Sequence, residues 1–427
     1  MQQYDSYKDS GVQWLGEIPS HWEIKPGRTI FSENKMKNTA LAEEVVLSLS
    51  YGKIIEKQNK NDGLVPEEYS SYQIIEPGFI IVRCTDLQND HVSLRTAISE
   101  LHGIITSAYL ALIPNNSICP KYFHYFFRNW DNTKELYRYG SGLRQSLSWN
   151  DFKYLLCVLP PLSEQSSIAA YLDEQTSKID TAIAQQQKMI DLLNERKQII
   201  INRAVTKGLN PNAKMKDSGV EWIGEINANW EIYRLKNLLA SRLMYGANES
   251  AESENESYPR YIRITDIDED GNLKPDTFKS LEPTKAASYL LKKGDVLFAR
   301  SGATCGKTYL FNEDIKACFA GYLIKATTTS ILLPKYLIYY TKSGIYNNWK
   351  NSIFIQATIQ NIGADKYSNL QIVLPPVEVQ HEIVSYLDDK VGEVDKAISN
   401  ATKQIALLQE RKQMIINEVV TGKVKVC

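Results

Sequence analysis

The sequence predicts an α+β protein: two similar mixed α/β domains and two long helices that form an antiparallel intramolecular coiled coil, arranged as an internal pseudo-two-fold repeat. The first observation is a long stretch at 159–208 that returns at 374–423 with its Leu-Pro-Pro, Tyr-Leu-Asp and Glu-Arg-Lys-Gln groups intact. The second is the segment at 8–24, which returns at 216–232 with most of its residues unchanged. Internal self-similarity of this kind marks a tandem duplication.

The duplication divides the chain into two repeats, each made of a short shared segment, a divergent middle domain and a long helix. The length of 427 residues is sufficient for several domains with well-developed cores. The predicted boundaries in chain order are 1–24, 25–158 and 159–208 for the first repeat and 209–232, 233–373 and 374–427 for the second.

The short shared segments carry two tryptophans each, Trp14 and Trp22 in the first and Trp222 and Trp230 in the second. Large aromatic side chains contribute much of the buried area of a protein core. We therefore expect these segments to pack onto a neighbouring element and not to hold a cofactor.

The middle domains are rich in Tyr, Ile, Val and Phe in short runs that Gly, Pro and Asn interrupt, a pattern typical of short strands. Each pattern predicts strands, then one late helix that starts near Pro120 or Pro334, and then an apolar strand that runs into the long helix. The polar insert at 247–259 in the second domain predicts a solvated loop.

Each long stretch predicts one helix. In the first, Ser163 is the expected N-cap, Glu164 places negative charge in the first turn, and Gly208 ends the helix. A helix of about 44 residues would be roughly 66 Å long at about 1.5 Å per residue, too long for the core of one small domain. We therefore expect the two helices to pair with each other.

Two neighbouring series of apolar residues at seven-residue spacing predict a coiled-coil seam in each helix. Polar residues, Gln175, Gln186 and Lys390, interrupt the seam and are expected to set its register. The series are Leu172, Ile179, Leu193 and Ile200 beside Ile168, Ala182 and Met189 in the first helix, and Leu387, Val394, Leu408 and Ile415 beside Ile383 and Ala397 in the second.

The composition is that of an ordinary globular protein, with a formal net charge of -1. This balance argues against nucleic-acid binding by bulk electrostatics but not against local basic patches. The first residues contain no apolar signal core, and no apolar run reaches the roughly 18 residues of a membrane span, so we expect a cytoplasmic protein. The six cysteines form no CxxC pair and are expected to be free thiols.

The sequence shows no credible catalytic constellation. The segment at 301–308, SGATCGKT, resembles a phosphate-binding P-loop except at its first position, but the residues that follow predict strand, turn and strand where such a loop needs a helix. The histidines lack metal-ligand spacing, and the carboxylates around Asp268 predict a glycine-closed acidic turn, not a calcium loop. We therefore expect a recognition or scaffold protein and not an enzyme.

Both middle domains place basic and amide side chains, interleaved with aromatics, at predicted strand ends and loops. Arg, Asn and Gln can bond base edges in the major groove, and Lys, Ser and Thr can bond phosphates. Any one of these residues could equally be a solvated surface residue, and it is the matched placement in both domains that makes the group a candidate. The candidate DNA-binding residues are Tyr51, Lys53, Lys57, Asn59, Lys60, Arg83, Thr85, Asp86, Gln88, Asn89, Arg144, Gln145 and Ser146 in the first domain, and Arg260, Arg263, Thr265, Arg300, Ser301, Thr304, Lys307, Gln356, Thr358, Gln360 and Asn361 in the second.

These features resemble the specificity (S) subunits of type I DNA restriction-modification systems. The resemblance is carried by the opening DSGVQWLGEIPSHWE, the middle domain ending in LPPLSEQ, the long helix ending in NERKQIII and the repetition of the whole pattern, and it covers essentially the full chain. The segments ARSGATCGKT and QATIQNIG are also similar to segments common in that family.

The resemblance implies a non-catalytic subunit whose middle domains are two target recognition domains, each reading one half of a split double-stranded DNA sequence. It implies helices that act as a spacer and as a docking surface for two modification subunits carrying an adenine methyltransferase, and through them for restriction subunits. No cofactor is expected on this chain. The complex is expected to use S-adenosylmethionine, and also ATP and Mg if a restriction subunit is present.

Antiparallel helices fit this interpretation because they would place the two domains on half-sites about one DNA turn (~34–36 Å) or so apart. Since the middle domains differ in sequence, the half-sites should differ too. One rival is a coiled-coil scaffold whose domains bind proteins. A second rival, a single-chain restriction-methylation enzyme, would need a [DN]-P-P-[FY] tetrapeptide, whereas Leu precedes both Pro-Pro pairs.

Overall fold

The structure, a computed structural model, describes residues 2–57, 68–85, 87, 94–135, 146–250, 252–268, 271–302, 304–354 and 361–426. The chain forms two compact units: unit one consists of Met1–Gln187 with Lys403–Cys427, and unit two of Lys188–Thr402. Each unit contains one middle domain and a part of each long helix.

The two repeats contain their elements in a closely similar order. The first repeat contains β1 (Tyr7–Asp9), β2 (Glu17–Pro19), β3 (Glu23–Pro26), β4 (Phe31–Glu33), β5 (Leu47–Ser50), β6 (Lys53–Glu56), β7 (Gln73–Ile75), β8 (Ile80–Val82), β9 (Thr96–Ile98), β10 (Gly103–Ile105), β11 (Leu110–Pro114), α1 (Pro120–Asn132), α2 (Trp149–Phe152), β12 (Leu156–Leu159) and α3 (Leu162–Thr206). The second contains β13 (Met215–Asp217), β14 (Glu225–Asn227), β15 (Glu231–Arg234), β16 (Met244–Tyr245), β17 (Arg260–Ile262), α4 (Pro283–Ala286), β18 (Val296–Ala299), β19 (Thr308–Leu310), β20 (Ala317–Phe319), β21 (Leu323–Ala326), α5 (Pro334–Thr341), α6 (Gly344–Phe354), α7 (Ala364–Ser368), β22 (Gln371–Leu374) and α8 (Val377–Val420).

Both middle domains are built on the same four-stranded antiparallel sheet. The strand order is β4-β11-β8-β9 in unit one and β16-β21-β18-β19 in unit two. In each unit the strand before a long helix pairs with the strand after the tryptophan segment, β12 with β3 and β22 with β15. Strands β8 and β18 are buried along their whole length, as expected for short apolar runs inside a core. The shared topology confirms the predicted duplication.

The late helix predicted in the first middle domain is confirmed as α1, but its counterpart is two helices, α5 and α6. The chain turns at residues 342–343, where the Ser343 hydroxyl donates to the Tyr340 carbonyl (2.6 Å). The Asn202 side chain on α3 accepts the amide of Gly344 at the start of α6. Ser and Gly are weak helix formers, and the side-chain cap from α3 stabilises a new helix start at this point.

The tryptophans of the shared segments are structural, as predicted. Trp22 and Trp230 are buried, and each ring lies against the glycine that follows a long helix in its own unit. Gly422 (φ +75°) and Gly208 (φ +79°) adopt left-handed backbone, and a Cβ there would lie 2.9 Å and 3.0 Å from the respective indole. Only glycine meets both demands, so these positions end the helices and admit the rings.

The long helices run antiparallel to each other within each unit. In unit one, Leu172 and Ile179 from the first half of α3 share a core with Ile415 from the end of α8. In unit two, Val205 from the end of α3 shares a core with Leu387 from the first half of α8. The start of one helix therefore packs against the end of the other in both units, which confirms the predicted antiparallel pair.

One predicted seam series in α3 is confirmed, and the other holds at Ile168, which is fully buried, but fails at its last residue. Leu172 and Ile179 are buried as expected, but Met189 is 51% exposed. Ile183, one position after Ala182, packs against the unit-one core, and Ile190, one position after Met189, is half-buried. Spacings of three and four residues both fit a seam. The sequence has apolar residues in two neighbouring heptad series. Packing against the partner helix determines which of them is buried.

Two further helix predictions are wrong. The Pro161 carbonyl accepts the amide of Gln165 (2.9 Å), so Pro161 takes the N-cap position and Ser163 lies inside α3. Lys390 does not interrupt the seam, because its ammonium group bonds Glu393 on the same helix at a largely exposed surface (2.9 Å).

Instead, a lysine from each repeat bridges the two helices. Lys412 donates to Asp180 in unit one and Lys197 donates to Asp395 in unit two, each at 2.6 Å. Both lysine side chains are at most 20% exposed, and the pairs occupy matching repeat positions. Matched cross-helix ion pairs of this kind favour one register of the helices over its neighbours.

Candidate nucleic-acid interface

The P-loop-like segment forms the loop of a β-hairpin. The Ala299 amide at the end of β18 donates to the Lys307 carbonyl (2.8 Å), and the Gly306 amide donates back to the Ala299 carbonyl (2.9 Å). Strand β19 begins at Thr308, so no helix N-terminus is available to hold phosphates, and the rejection of a P-loop is confirmed. Within the described ranges no cluster of His, Cys, Asp and Glu could hold a metal ion.

In unit two this loop meets the segment that precedes α7, and together they form the unit-two loop site, defined as Arg300, Ser301 and Asn361. The Ile362 amide donates to the Arg300 carbonyl (2.8 Å), and Ser301 and Asn361 form a β-bridge. The structure thus brings together three sequence-predicted candidates that lie about sixty residues apart in the chain.

The Arg300 guanidinium of this site is stacked on an aromatic ring. Its central carbon lies 4.9 Å from the centroid of Tyr245, whose hydroxyl accepts the Ala364 amide (2.9 Å). Stacking leaves the planar fork of an arginine oriented, with less rotamer freedom to lose when it bonds a guanine edge or a phosphate. Two aromatic residues of this site, Tyr245 and the 62% exposed Tyr322, were not among the candidates predicted from the sequence. They were missed because only the fold brings them close to Arg300.

Unit one forms the same arrangement from different side chains. The Leu147 amide donates to the Cys84 carbonyl (2.9 Å), which places the segment before α2 against the loop after β8. The unit-one loop site is defined as Arg83, Thr85 and Ser146. The loop after the central strand therefore meets the segment before a short helix in both units.

A buried arginine holds the unit-one loop from below. Arg95 is fully buried, and its guanidinium donates to the carbonyls of Arg83 (3.3 Å) and Thr85 (2.8 Å). Its own amide donates to the Asp131 carboxylate (2.8 Å). Burial raises the pKa of Asp131 while this amide bond opposes the rise. The backbone of the loop site is therefore fixed by polar contacts beneath the surface.

A β-hairpin with an exposed aromatic tip adjoins the same domain. Strands β5 and β6 pair from Leu47 to Glu56, and the turn contains Tyr51 and Gly52, both with left-handed backbone. Tyr51 is 91% exposed. Lys53 is exposed and Lys57 half-buried along the second strand, so these three candidates lie on one hairpin.

Two candidate arginines of the second domain are engaged within the protein. Arg263 binds the fully buried Asp266 through two nitrogens (2.7 and 3.1 Å) and also donates to the Thr277 carbonyl. Arg260 donates to the Lys274 carbonyl (2.7 Å). These guanidinium groups support the turn around Asp268, where the Gly271 amide bonds the Asp268 carbonyl and confirms the glycine-closed turn.

The other candidates lie apart from the two loop sites or outside the described residues. Thr265 donates to Asp266 (3.4 Å), Thr304 is half-buried in the hairpin loop, and Lys307 lines a separate recess. The candidates that lie outside the described residues are Asn59, Lys60, Asp86, Gln88, Asn89, Arg144, Gln145, Gln356, Thr358 and Gln360.

The Cys84 thiol and the His124 imidazole of unit one are poor catalytic groups. Burial raises the pKa of Cys84 to about 12, and burial with the nearby Arg128 lowers the pKa of His124 to about 3. Both stay neutral at physiological pH, so neither offers a thiolate or an imidazolium. The described cysteines are free, as predicted. Among the described residues no helix combines the length and the apolar character that crossing a membrane requires.

Comparison with known proteins finds similarity to one family. Residues 227–407 match the family described as the type I restriction modification DNA specificity domain. A Methanocaldococcus jannaschii protein assigned as the MjaX specificity subunit of a type I restriction enzyme is 25% identical over 439 residues, covering 96% of each chain.

Solved structures share the fold. A chain from a study of complex assembly and conformational transition of the type I R-M system superposes with a TM-score of 0.71 at 18% identity, covering 95% of this chain and 99% of that one. The HsdS subunit from Thermoanaerobacter tengcongensis gives a TM-score of 0.51 at 17% identity, covering 95% and 98%. With the duplicated segments and paired helices described above, the chain is similar in sequence to type I restriction-modification specificity subunits and shares the fold of the solved structures.

Proposed function

We propose that this chain reads an asymmetric, bipartite double-stranded DNA target, with one half-site for each middle domain. The observation that carries the proposal is the pair of loop sites: the same backbone junction occurs in both units, but it presents Arg83, Thr85 and Ser146 in one. It presents a different set, Arg300, Ser301 and Asn361, in the other. A shared frame with different side chains is what two unlike half-sites require.

The chemistry of these side chains suits base recognition. Arginine makes bidentate bonds to guanine, asparagine does so to adenine, and serine or threonine can bond either bases or phosphates. In unit two, Arg300 is held by the Tyr245 ring. In unit one, the loop backbone is held by Arg95. Preorganised groups of this kind lose less freedom on binding and so discriminate better between bases.

The long helices are proposed to set the spacer between the half-sites. Each is continuous over more than forty residues, and within each unit they pair antiparallel with a matched lysine–aspartate bridge. A helix cannot change length without a change of sequence, so the spacer should be constant for this chain. Adding or removing a turn of both helices should change the spacer and leave the half-site sequences as they were.

The same helices are proposed to dock two modification subunits. Leu192 and Ile199 in unit two, and Leu407 and Met414 in unit one, are each at least 52% exposed. They occupy matching repeat positions seven residues apart, so each pair lies on one helix face. Two chemically alike apolar surfaces suit two copies of one partner. Restriction subunits would bind through these partners, and the assembly would act on DNA in the cytoplasm.

The cofactors of the complex are proposed to reside on the partner subunits. The hairpin loop at 301–308 has no helix to receive a phosphate, and the described residues contain no metal-ligand cluster. S-adenosylmethionine, and ATP and Mg where a restriction subunit is present, are therefore expected on the other chains of the complex.

Mapping methylated adenines across a genome tests the recognition proposal. Cells that contain the modification subunit are compared with and without this chain. We expect methylation to appear, only with the chain, at two unlike short sequences separated by a fixed unspecified spacer. A contiguous or palindromic motif would contradict the bipartite arrangement. Methylation that does not depend on the chain would favour the rival, a coiled-coil scaffold whose domains bind proteins.

Native mass spectrometry tests the docking proposal. Leu192→Glu with Ile199→Glu, and separately Leu407→Glu with Met414→Glu, should each reduce the complex from two modification subunits to one. Lys188→Glu places the same charge on an exposed position of α3 and should leave two. Two bound subunits in both double variants would show that the partners dock elsewhere.

A further inference from the structure

His102 in unit one bonds two carboxylates from different parts of the first middle domain. Its Nδ1 lies 2.9 Å from a carboxylate oxygen of Glu76, in the turn between β7 and β8. Its Nε2 lies 2.7 Å from a carboxylate oxygen of Glu43, in the segment before β5. His102 itself lies in the turn between β9 and β10. These three residues, named here the His102 clamp, therefore join three separate connections of the domain.

Two bonds of this kind require a protonated ring. A neutral imidazole has one N–H donor and one nitrogen that only accepts, and an ionised carboxylate can only accept. Both contacts are therefore hydrogen bonds only when both ring nitrogens of His102 carry a proton. The bond to Glu76, followed by the bond to Glu43, raises the pKa of His102 above its ordinary value of about 6.5.

The two carboxylates of the clamp are the charged groups that act on the pKa of His102. Oε1 of Glu43 also accepts the amides of Glu44 (3.0 Å) and Val45 (2.9 Å), and the bond from Val45 is the largest cause of the lowered pKa of Glu43. The charged residue on the same turn as His102 is Glu100, which is exposed. Loss of one ring proton would leave a nitrogen lone pair facing an ionised carboxylate, so one of the two bonds must break.

The clamp lies at the base of the hairpin formed by β5 and β6. The Val45 carbonyl accepts the Ile104 amide (2.8 Å), and Val46 forms a β-bridge with Ile104. Val45 follows Glu43 by two residues, and Ile104 follows His102 by two residues. The side chains of the clamp and these backbone contacts therefore join the same two segments, at the point where the hairpin leaves the rest of the domain.

We propose that His102 is a positioning residue, whose doubly protonated ring holds the hairpin carrying Tyr51 and Lys53 against the first middle domain and releases it on deprotonation. The hold is complete below the ordinary pKa of histidine and is lost as the pH rises through the raised pKa of His102. The consequence for DNA rests on the proposed function: the hairpin would meet the first half-site in a fixed position only while His102 is charged.

Hydrogen exchange of the full chain, followed by mass spectrometry on residues 44–57, tests the hold directly. The natural chain and His102→Gln are compared at the same pH, which cancels the pH dependence of intrinsic exchange. At about pH 6, below the ordinary pKa, the hairpin amides should exchange about two- to fivefold faster in the variant, as expected for partly exposed ion pairs. At about pH 9 the two chains should exchange at nearly the same rate. A difference that is equal at both pH values, or absent at both, would overturn the proposal.

Two matched variants separate the charge of His102 from its shape. Arginine stays charged at both pH values and its planar fork can bond two carboxylates, so His102→Arg should exchange more slowly than the natural chain at about pH 9. Faster exchange of this variant at both pH values would contradict a hold that depends on charge. His21 is exposed to a similar degree, 46% against 48% for His102, and bonds Glu164 (2.6 Å). His21→Gln should therefore leave exchange of the hairpin unchanged.

Nuclear magnetic resonance of the histidine rings gives an independent measurement. The chain has five histidines, so the signal that disappears in His102→Gln identifies this ring. Its titration midpoint should lie above the ordinary value of about 6.5 and should fall in Glu76→Gln and in Glu43→Gln. A midpoint at or below the ordinary value would show that the two bonds do not form in solution, and the proposal would fail.

DNA binding by the assembled complex separates this inference from the proposed function. With the natural chain, discrimination between single-base variants of the first half-site should fall as the pH rises from about 6 to about 9, and with His102→Arg it should not. The second half-site is the internal control, and an equal fall at both half-sites would contradict a role of His102 in recognition. If the natural complex binds no target at all, the proposed function fails, and the exchange comparison still decides whether the clamp holds the hairpin.

Discussion

The two middle domains share their backbone frame and differ in how they hold the residues at the loop sites. In unit one, the buried Arg95 fixes the backbone of the loop from below through two carbonyls. In unit two, the aromatic face of Tyr245 fixes the Arg300 side chain itself. The first domain carries a hairpin with the exposed Tyr51, whereas the second domain carries the acidic turn at Asp268.

The junctions with the long helices, by contrast, are nearly identical. In unit one, the Tyr122 hydroxyl lies within hydrogen-bonding distance of the carbonyls of Val158 and Val420. In unit two, the Tyr336 hydroxyl lies within hydrogen-bonding distance of the carbonyls of Val373 and Val205. The loop sites differ between the units whereas the helix junctions do not, which shows how one backbone fold can support two different recognition sites. The junctions keep the domain position constant, and the loops are free to change because they contribute little to that position.

The largest expected effect is the loss of the buried arginine in unit one. Arg95→Leu would remove the Arg95 donor from two part-buried carbonyls, which should cost about 3 kcal/mol in the free energy of unfolding at about 1–3 kcal/mol for each group. Urea unfolding measures the loss, and adenine mapping should show a degraded first half-site beside an intact second one. Equal damage to both half-sites would contradict the independence of the domains.

Next is the stacked arginine in unit two. Arg300→Lys keeps the charge but loses the planar fork, so it should cost about 1–3 kcal/mol of base discrimination at one position of the second half-site. Competition binding with single-base variants of the target measures this. The first half-site serves as the internal control and should be read as before; a uniform weakening at every position would indicate that Arg300 contacts a phosphate.

The matched tyrosines test how alike the two junctions are. The single hydroxyl hydrogen of Tyr336 is shared between carbonyls at 2.8 and 3.2 Å, and that of Tyr122 between carbonyls at 3.3 and 3.4 Å. At about 1 kcal/mol per hydrogen bond, we expect Tyr336→Phe to destabilise the protein by about 1 kcal/mol and Tyr122→Phe, which loses a longer bond, by less. Thermal unfolding of the two single variants gives the order, and the reverse order would contradict it.

The smallest effect on stability, and one of opposite sign, is expected at the hairpin tip. Tyr51 has φ +48°, a conformation that costs a bulky residue about 1 kcal/mol or more and that asparagine tolerates better. Tyr51→Asn should therefore raise the free energy of unfolding by about 0.5–1 kcal/mol. The same variant should weaken binding to the first half-site if the exposed ring contacts DNA; unchanged binding would assign the tip no role in recognition.

Much of the architecture could be predicted because it depends on patterns of residues that are close together in the sequence. The heptad series through Leu172 and Ile179 predicted the seam, and the repeated segments with Trp22 and Trp230 predicted a duplicated, packed frame. Predictions based on only one or two residues fared worse. Met189 lies outside the seam because two neighbouring series were both apolar, and the choice between them belongs to the partner helix.

The candidate sites could be predicted only as a set of residue types. Nothing in the sequence shows that the Leu147 amide meets the Cys84 carbonyl, or that the Ile362 amide meets that of Arg300, since each contact joins loops about sixty residues apart. Nor does it show that Arg263 bonds Asp266 while Arg300 lies over the Tyr245 ring. Two arginines of the same domain therefore have different roles because different residues surround them in the fold.

By itself, the sequence determined the duplication, the long paired helices and the absence of a catalytic motif, because periodicity, repetition and motif spacing are properties of residues near one another in the chain. The tertiary structure decided which loops form a site and which lysines bridge the helices. Those outcomes depend on distances between residues remote in sequence, which are fixed only when the sheets and the helices pack.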